Sequence, residues 1–124
     1  MADFDLPDLK NPAWTARPDG MKVWDVVEGS GDPVPAGATV TVHYTGWLLD
    51  GTVFDSSKKR GQTISFGLHQ VIKGWTVGVP GMKPGGKRLL LIPPDMAYGK
   101  RGAPGAIPPD ATLVFEIELV SFKK

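Results

Sequence analysis

Sixteen glycines and twelve prolines are scattered through 124 residues, and this constrains the fold more than any other feature of the chain. Proline inside a helix removes a hydrogen bond and clashes with the preceding turn, and glycine loses more freedom on ordering than any other residue. A helical bundle is therefore excluded, and short strands joined by many turns are expected. The length suits one domain, and a 41% hydrophobic content can bury a core without staples. Cysteine is absent, which excludes disulfides and thiolate metal sites. Fourteen basic residues stand against thirteen acidic ones, so no phosphate-neutralising surface and no nucleic-acid partner are expected. No apolar run approaches the roughly 20 residues of a membrane span, and no membrane partner is expected. The opening Met1-Ala2-Asp3-Phe4-Asp5 places acids where a signal peptide would carry a basic and then an apolar segment, so a cytoplasmic location is expected.

Residues 1–20 read as an N-terminal extension and 21–124 as the folded domain. The extension carries Pro7, Pro12 and Pro18 without steady periodicity, yet Phe4, Leu6, Leu9 and Trp14 are too apolar for a solvated tail. It reads as an arm laid over the domain and anchored by Trp14, with a partner-binding arm as the alternative. Lys22–Glu28 reads as a short strand. Thr39–Leu49 alternates with period two, Val40, Val42, Tyr44 and Leu48 on one face and Thr39, Thr41, His43 and Thr45 on the other. Asp50-Gly51 reads as a two-residue hairpin turn leading to a return strand from Val53 to Asp55. Lys58-Lys59-Arg60-Gly61 reads as a solvated basic loop. Ile64–Phe66 is a short strand, and Gln70–Val77 is the expected helix, with Val71, Ile72 and Trp75 grouped on one side and Gly78 and Pro80 ending it. Strands follow at Lys87–Ile92 and Leu113–Phe122, separated by a proline-rich loop. In the last strand Glu116 and Glu118 mark a wet face. The sum is an α+β domain, an antiparallel sheet with one short helix across it. Such a helix cannot cover the whole dry face, so either loops cover the remainder or an apolar pocket is left.

Several chemistries fail on the residues. Gly81-Met82-Lys83-Pro84-Gly85-Gly86-Lys87-Arg88 nearly spells a phosphate loop, but Arg88 replaces the magnesium-binding hydroxyl, Pro84 lacks an N–H, and a strand follows instead of a helix. His43 and His69 lack a third ligand at metal spacing, so no metal is expected. Ser56 and Ser57 lack a nucleophile elbow. What remains is an aromatic and aliphatic set with few polar members: Tyr44, Phe54, Asp55, Phe66, Val71, Ile72, Trp75, Tyr98, Ile107 and Phe115. Core packing alone would explain Phe66 and Phe115, and a salt bridge to Arg60 or a turn hydrogen bond would explain Asp55. Trp75 and Tyr98 carry polar groups that need partners when buried.

These residues sit in ordered motifs: Val42-His43-Tyr44-Thr45-Gly46; Asp50-Gly51 then Phe54-Asp55-Ser56-Ser57; Val71-Ile72-Lys73-Gly74-Trp75; Gly81-Met82 with Gly86; Ile92-Pro93-Pro94 leading to Ala97-Tyr98-Gly99; and Ile107-Pro108-Pro109 with Ala111-Thr112-Leu113-Val114-Phe115. From about Lys22 to the C-terminus the chain closely resembles the FK506-binding (FKBP-type) peptidyl-prolyl isomerases. The resemblance implies a half-barrel, a five- or six-stranded antiparallel sheet wrapped around one short helix, with proline peptides bound in the cleft between. It implies that Trp75 is the floor for the prolyl ring and that Tyr44, Phe54, Phe66, Val71 and Phe115 are walls. The Ile72 backbone N–H and the Tyr98 hydroxyl are implied donors to substrate carbonyls, Asp55 the charged group near the carbonyl before proline, and Ile107 part of the rim. Catalysis would rest on Asp55, Tyr98 and Ile72, with no cofactor and no metal. Proline-containing polypeptides are the implied partners, FK506- and rapamycin-type macrolides the implied inhibitors, and a monomer the implied state.

The sequence departs from some relatives at Ala103 and Ala106, small where a histidine and a bulky aliphatic stand, at Ile64, aromatic in some members, and in the shortened Gly67-Leu68-His69-Gln70. The small residues imply a wider rim and a changed preference for the residue before proline. Two other functions stay open at this point: a proline-segment or macrolide-binding module with incidental turnover, and a folding chaperone acting through the cleft and the arm.

Overall fold

The computed structural model describes residues 5–124, and Met1 to Phe4, with the expectations placed on them, lie outside the described residues. In chain order the elements are β1 (Thr15–Ala16), β2 (Lys22–Val27), β3 (Thr39–Leu48), β4 (Val53–Ser56), α1 (Ser57–Arg60), β5 (Ile64–Gly67), α2 (Lys73–Gly78), β6 (Lys87–Ile92) and β7 (Leu113–Lys123), with a 3-10 turn at Pro94–Met96. The strands form one sheet in the order β1-β2-β6-β7-β3-β4, and β5 also pairs with β3. Every pairing is antiparallel. The α+β class stands, with seven strands where five or six were expected; the addition is the two-residue β1.

β3 is the spine. Along one edge it pairs with β7 over its whole length, from Thr39↔Lys123 to Leu48↔Leu113. Its other edge is divided, β5 lying opposite Thr39–Val42 and β4 opposite Thr45–Trp47. Period two puts Val40, Val42 and Tyr44 on the inner face, where they meet Phe115, Ile117 and Leu119 of β7, Leu90 and Ile92 of β6, and Trp75 and Val79 at α2. The outer face is drier than expected: Trp47 and Val114, partners across β3 and β7, are fully buried.

α2 begins three residues later than its periodicity suggests. Gln70 N–H donates to the Gly67 carbonyl at 2.9 Å, closing a turn, and Ile72 is extended at φ −58°, ψ 151°. Only from Lys73 does the chain turn helical. Two glycines one turn apart let this helix lie close on the sheet. A Cβ at Gly74 would stand 2.5 Å from Ile92 Cδ1, and one at Gly78 2.9 Å from Met21 Cε. The last carbonyls of a helix lack internal partners. Here Arg88 Nη1 donates to Gly78 O at 2.8 Å and to Pro80 O at 3.2 Å, and Arg17 Nη1 donates to Val77 O at 3.2 Å. Arg88 Nε meanwhile donates to Asp25 Oδ1 at 2.6 Å.

Two turns differ from expectation. The basic loop is not a solvated tip: it forms α1, capped by the Ser56 hydroxyl and closed by Gly61 at φ 70°. Lys58 reaches the outer face of β7, 2.8 Å from Glu116 and 2.9 Å from Glu118, and Lys87 approaches Glu118 at 3.1 Å. The glutamates therefore form half-buried ion pairs. Burial pushes the Glu118 carboxyl up, but Lys58 and Lys87 outweigh it and hold it below the usual carboxylate range. The β3–β4 hairpin has three loop residues, Leu49-Asp50-Gly51, with Leu48 N–H donating to Thr52 O at 2.9 Å and Gly51 N–H to Leu48 O at 3.0 Å. Only Gly51 takes a positive φ, 92°. This geometry spares Asp50 a strained backbone and lets its Oδ1 accept from Thr52 N–H at 2.9 Å.

β1 pairs Thr15 with Val23 and Ala16 with Lys22. Beside it the Trp14 and Trp24 rings meet edge-on, 5.8 Å apart at 71°.

Candidate active site

The inner face of the sheet and α2 do not close on one another. Between them lies a cleft of about 480 Å³ lined by Tyr44, Phe54, Asp55, Phe66, Gln70, Val71, Ile72, Trp75, Tyr98 and Phe115. Each wall comes from a different element: Tyr44 from β3, Phe54 and Asp55 from β4, Phe66 from β5, Phe115 from β7, Val71, Ile72 and Trp75 from α2 and its approach, Tyr98 from the loop after the 3-10 turn. Nine of the ten residues expected at the site are thus brought together.

Trp75 is the hub. Its ring lies edge-on to Tyr44 at 5.4 Å, Phe66 at 5.3 Å and Phe115 at 5.4 Å. Phe54 meets Phe115 at 5.5 Å and 90°. Contacts of this kind contribute roughly 0.5–1.5 kcal/mol each beyond their area. They hold Trp75 at 4% exposure in the cleft floor. The indole N–H has no hydrogen-bond partner among the described residues, contrary to the expectation that its polar group would find one. Leaving it unpaired costs roughly 1–3 kcal/mol, which the three edge-on ring contacts of Trp75 offset. Gly46 makes the packing possible, since a Cβ there would stand 2.5 Å from Phe54 Cζ and 2.9 Å from Phe115 Cε1.

The polar groups lie at one end. The Tyr44 hydroxyl donates to Asp55 Oδ2, Arg60 Nη1 donates to Asp55 Oδ1 at 2.6 Å, and Arg60 Nη2 donates to the Tyr44 oxygen at 3.3 Å. α1 delivers Arg60 to this ring. It is itself tied to β3 by the buried Ser57 hydroxyl, which accepts from Tyr44 N–H at 2.7 Å, and by Ser56 and Thr45, whose hydroxyls are 2.9 Å apart. Burial, followed by the bond to Asp55, raises the Tyr44 hydroxyl above its ordinary pKa. Burial also pushes the Asp55 carboxyl up, but the bonds from Tyr44 and Arg60 outweigh it and leave Asp55 below its ordinary value. The carboxylate stays ionised and paired, so the cleft carries little net charge.

Two further donors of the cleft, besides the Trp75 indole and the Gln70 carboxamide, are unpaired among the described residues. The Tyr98 hydroxyl, on a residue 41% exposed, makes no hydrogen bond among the described residues. Neither does the Ile72 N–H, which lies at the start of a helix where such groups are unsatisfied.

Ile107 is not brought to the cleft lining. It is 6% exposed and belongs to the core, held in a two-way bridge with Ala103 whose N–H···O distances are both 2.8 Å. Gly102 lets the bridge close, since a Cβ there would stand 2.4 Å from Ile107 O. Gln70, conversely, lines the cleft although the sequence placed it at the start of the helix, where a polar residue would be solvated. The available signal was Gly67 three residues before it, a turn that delays the helix.

A half-wrapped antiparallel sheet with an aromatic cleft and one carboxylate paired with Tyr44 and Arg60 at its polar end defines a class of protein: one whose sheet and short helix hold open a pocket with the shape and lining to receive an apolar ring. Residues 31–120 match the family model of the FKBP-type peptidyl-prolyl cis-trans isomerases. The chain is 56% identical over 106 residues to FK506-binding protein 1 of Dictyostelium discoideum, covering 84% of this chain and 99% of that one. It is 56% identical over 103 residues to an FK506-binding protein of Neisseria meningitidis, covering 82% and 94%. Among solved structures, FkpA of Escherichia coli superposes with a TM-score of 0.87 at 45% identity, over 92% of this chain and 53% of that one. A peptidyl-prolyl cis-trans isomerase of Pseudomonas syringae superposes with a TM-score of 0.85 at 39% identity, over 93% and 84%. The chain belongs to the FKBP-type peptidyl-prolyl cis-trans isomerases. Among the described residues no helix is long and apolar enough to cross a membrane.

Proposed function

We propose that this isomerase turns X–Pro bonds by laying the prolyl ring on Trp75, between Tyr44, Phe54, Phe66, Val71 and Phe115, while the Ile72 N–H and the Tyr98 hydroxyl hold substrate carbonyls. The observation that carries the proposal is the pairing, in one cleft, of an aromatic floor with a backbone N–H and a hydroxyl that are both free to meet substrate carbonyls. An X–Pro bond favours trans by only about 0.5–1 kcal/mol, so both isomers are available to bind. The barrier of about 18–20 kcal/mol is lost amide resonance. A planar amide has charge separated onto oxygen and is well solvated, whereas the twisted form is less polar. A dry cleft therefore disfavours the ground state more than the transition state, or in other terms replaces water by fixed dipoles. A thousandfold acceleration requires only about 4 kcal/mol. No proton transfer or covalent bond is needed. Asp55, ionised and closed in its ring with Tyr44 and Arg60, orients the polar end and does not act as an acid or base.

The substrates proposed are proline-containing polypeptides of the cytoplasm, acted on by a monomer, and FK506- or rapamycin-type macrolides are proposed to compete for the cleft. A protease-free isomerisation assay tests these roles. Trp75→Leu is expected to lower kcat/KM by at least tenfold, and Tyr98→Phe and Asp55→Ala to lower it by about threefold to tenfold, each with its circular dichroism unchanged. Full activity in both polar variants would refute their roles. Peptide binding without acceleration by the wild type would make the cleft a binding module.

A further inference from the structure

One polar side chain in the cleft is used neither by the fold nor by the proposed prolyl site. Gln70 lines the cleft and is exposed, and its carboxamide makes no hydrogen bond among the described residues. Its backbone is fixed by the 2.9 Å bond from its N–H to Gly67 O. The absence of a side chain at Gly67 leaves room for the Gln70 carboxamide and the His69 ring, each 3.1 Å from where a Cβ would stand. The carboxamide carries an acceptor oxygen and two N–H donors, and the donors are what it offers an acidic ligand. The other polar side chains of the cleft differ: Tyr44 and Asp55 are closed in a ring with Arg60, and Tyr98 stands on another loop. Lys73, three residues after Gln70, is exposed and makes no ion pair among the described residues, which adds positive charge to the same segment. Donors beside a cation favour an acceptor, and a carboxylate most, because charge-assisted hydrogen bonds are about twice as strong as neutral ones.

We infer that Gln70 is a specificity-determining residue, donating to a carboxylate side chain on a substrate residue adjoining the X–Pro pair, so that the enzyme favours acidic segments beside proline. The inference rests on the isomerase reading of the cleft. The test measures kcat and KM on matched short peptides carrying either Glu or Leu at the position before X, and a second pair with the same choice after proline. Wild type is expected to favour Glu at one of the two positions by about fivefold, through KM. Gln70→Leu keeps the volume and removes the donors, and is expected to bring that Glu-to-Leu ratio close to one. Gln70→Glu is expected to reverse it. Because the ratio is internal to each variant, partial loss of folding does not move it. A wild type without preference at either position, or a ratio that Gln70→Leu leaves unchanged, overturns the inference while the isomerase reading stands. A wild type that turns over none of the peptides overturns that reading and the inference together.

Discussion

Asp55 brings a negative charge to a cleft otherwise made of rings, and its surroundings decide what that charge can do. Burial works against the carboxylate, and the Tyr44 and Arg60 hydrogen bonds overcome it. A group whose pKa is lower in the folded than in the unfolded chain adds stability above its unfolded value, near 3.9, and loses it as the pH falls through the folded one. Wild type should therefore lose stability relative to Asp55→Asn below about pH 4, and the difference between them should be constant above about pH 5. Urea unfolding across that range checks this, and a difference that persists unchanged at pH 2 would contradict it. Tyr44 moves the other way, upward, so the ring keeps one protonation state across neutrality. Isomerisation is accordingly expected to be flat from about pH 5 to about pH 9, and a sigmoid within that range would mean that a cleft group titrates in the reaction. At this scale much was legible. Tyr44 and Phe115 follow from strand alternation, and the Asp55–Arg60 pair was foreseeable from the sequence. Ile107 and Gln70 were misplaced because loop geometry, set by Gly102 and Gly67, decides which way such residues face.

The elements were legible where periodicity was strong and obscure where a turn overrode it. β3 and β7 begin where the alternation does and β6 spans its predicted leucine-rich run, whereas α2 starts late because the Gly67–Gln70 turn and the extended Ile72 consume its first residues. α1 has a readable signature, Ser56 at one end and Gly61 at the other, but four residues give too little periodicity to weigh against a loop. α2 carries the floor of the cleft, and its contact with the sheet sets the floor's height. Gly74→Ala isolates that contact. Alanine should help the helix by about 1 kcal/mol. Its Cβ, however, would meet Ile92 at three atoms within 2.9 Å. Ile92 is β-branched and fully buried, so it has no easy way to yield. Overpacking of this kind costs about 1–3 kcal/mol. The expected result is a net loss of up to about 2 kcal/mol in urea unfolding, together with a fall in kcat/KM as Trp75 lifts. A more stable variant would show that helix propensity outweighs the contact.

Across the whole molecule, the cleft depends on parts of the chain far from it. The carbonyls at the end of α2 are held from two sides, by Arg88 of β6 and by Arg17 just beyond β1. Arg17 also meets Asp19 at 3.1 Å, and the same N-terminal stretch seats Trp14 against Trp24. The arm is therefore mechanically joined to the helix that carries Trp75, a connection invisible in a sequence where Arg17 and Val77 are sixty positions apart. Deleting residues 1–17 removes β1, the tryptophan contact and the Arg17 bond together, and leaves the other six strands of the sheet. An edge-on aromatic pair contributes roughly 0.5–1.5 kcal/mol and a charged hydrogen bond roughly 1.5–3 kcal/mol, discounted here because Arg17 is partly exposed. A loss of about 2–3 kcal/mol is thus expected, with the domain still folded and binding proline peptides. Arg17→Ala in the full chain separates the two contributions, because it frees the helix end and keeps the tryptophan pair. If the coupling runs through α2, the deletion should also lower kcat/KM, and this single substitution should lower it by as much while giving back part of the lost stability. If Arg17→Ala retains full activity and the deletion does not, the arm acts on the cleft by another route, and the helix end is not the connection.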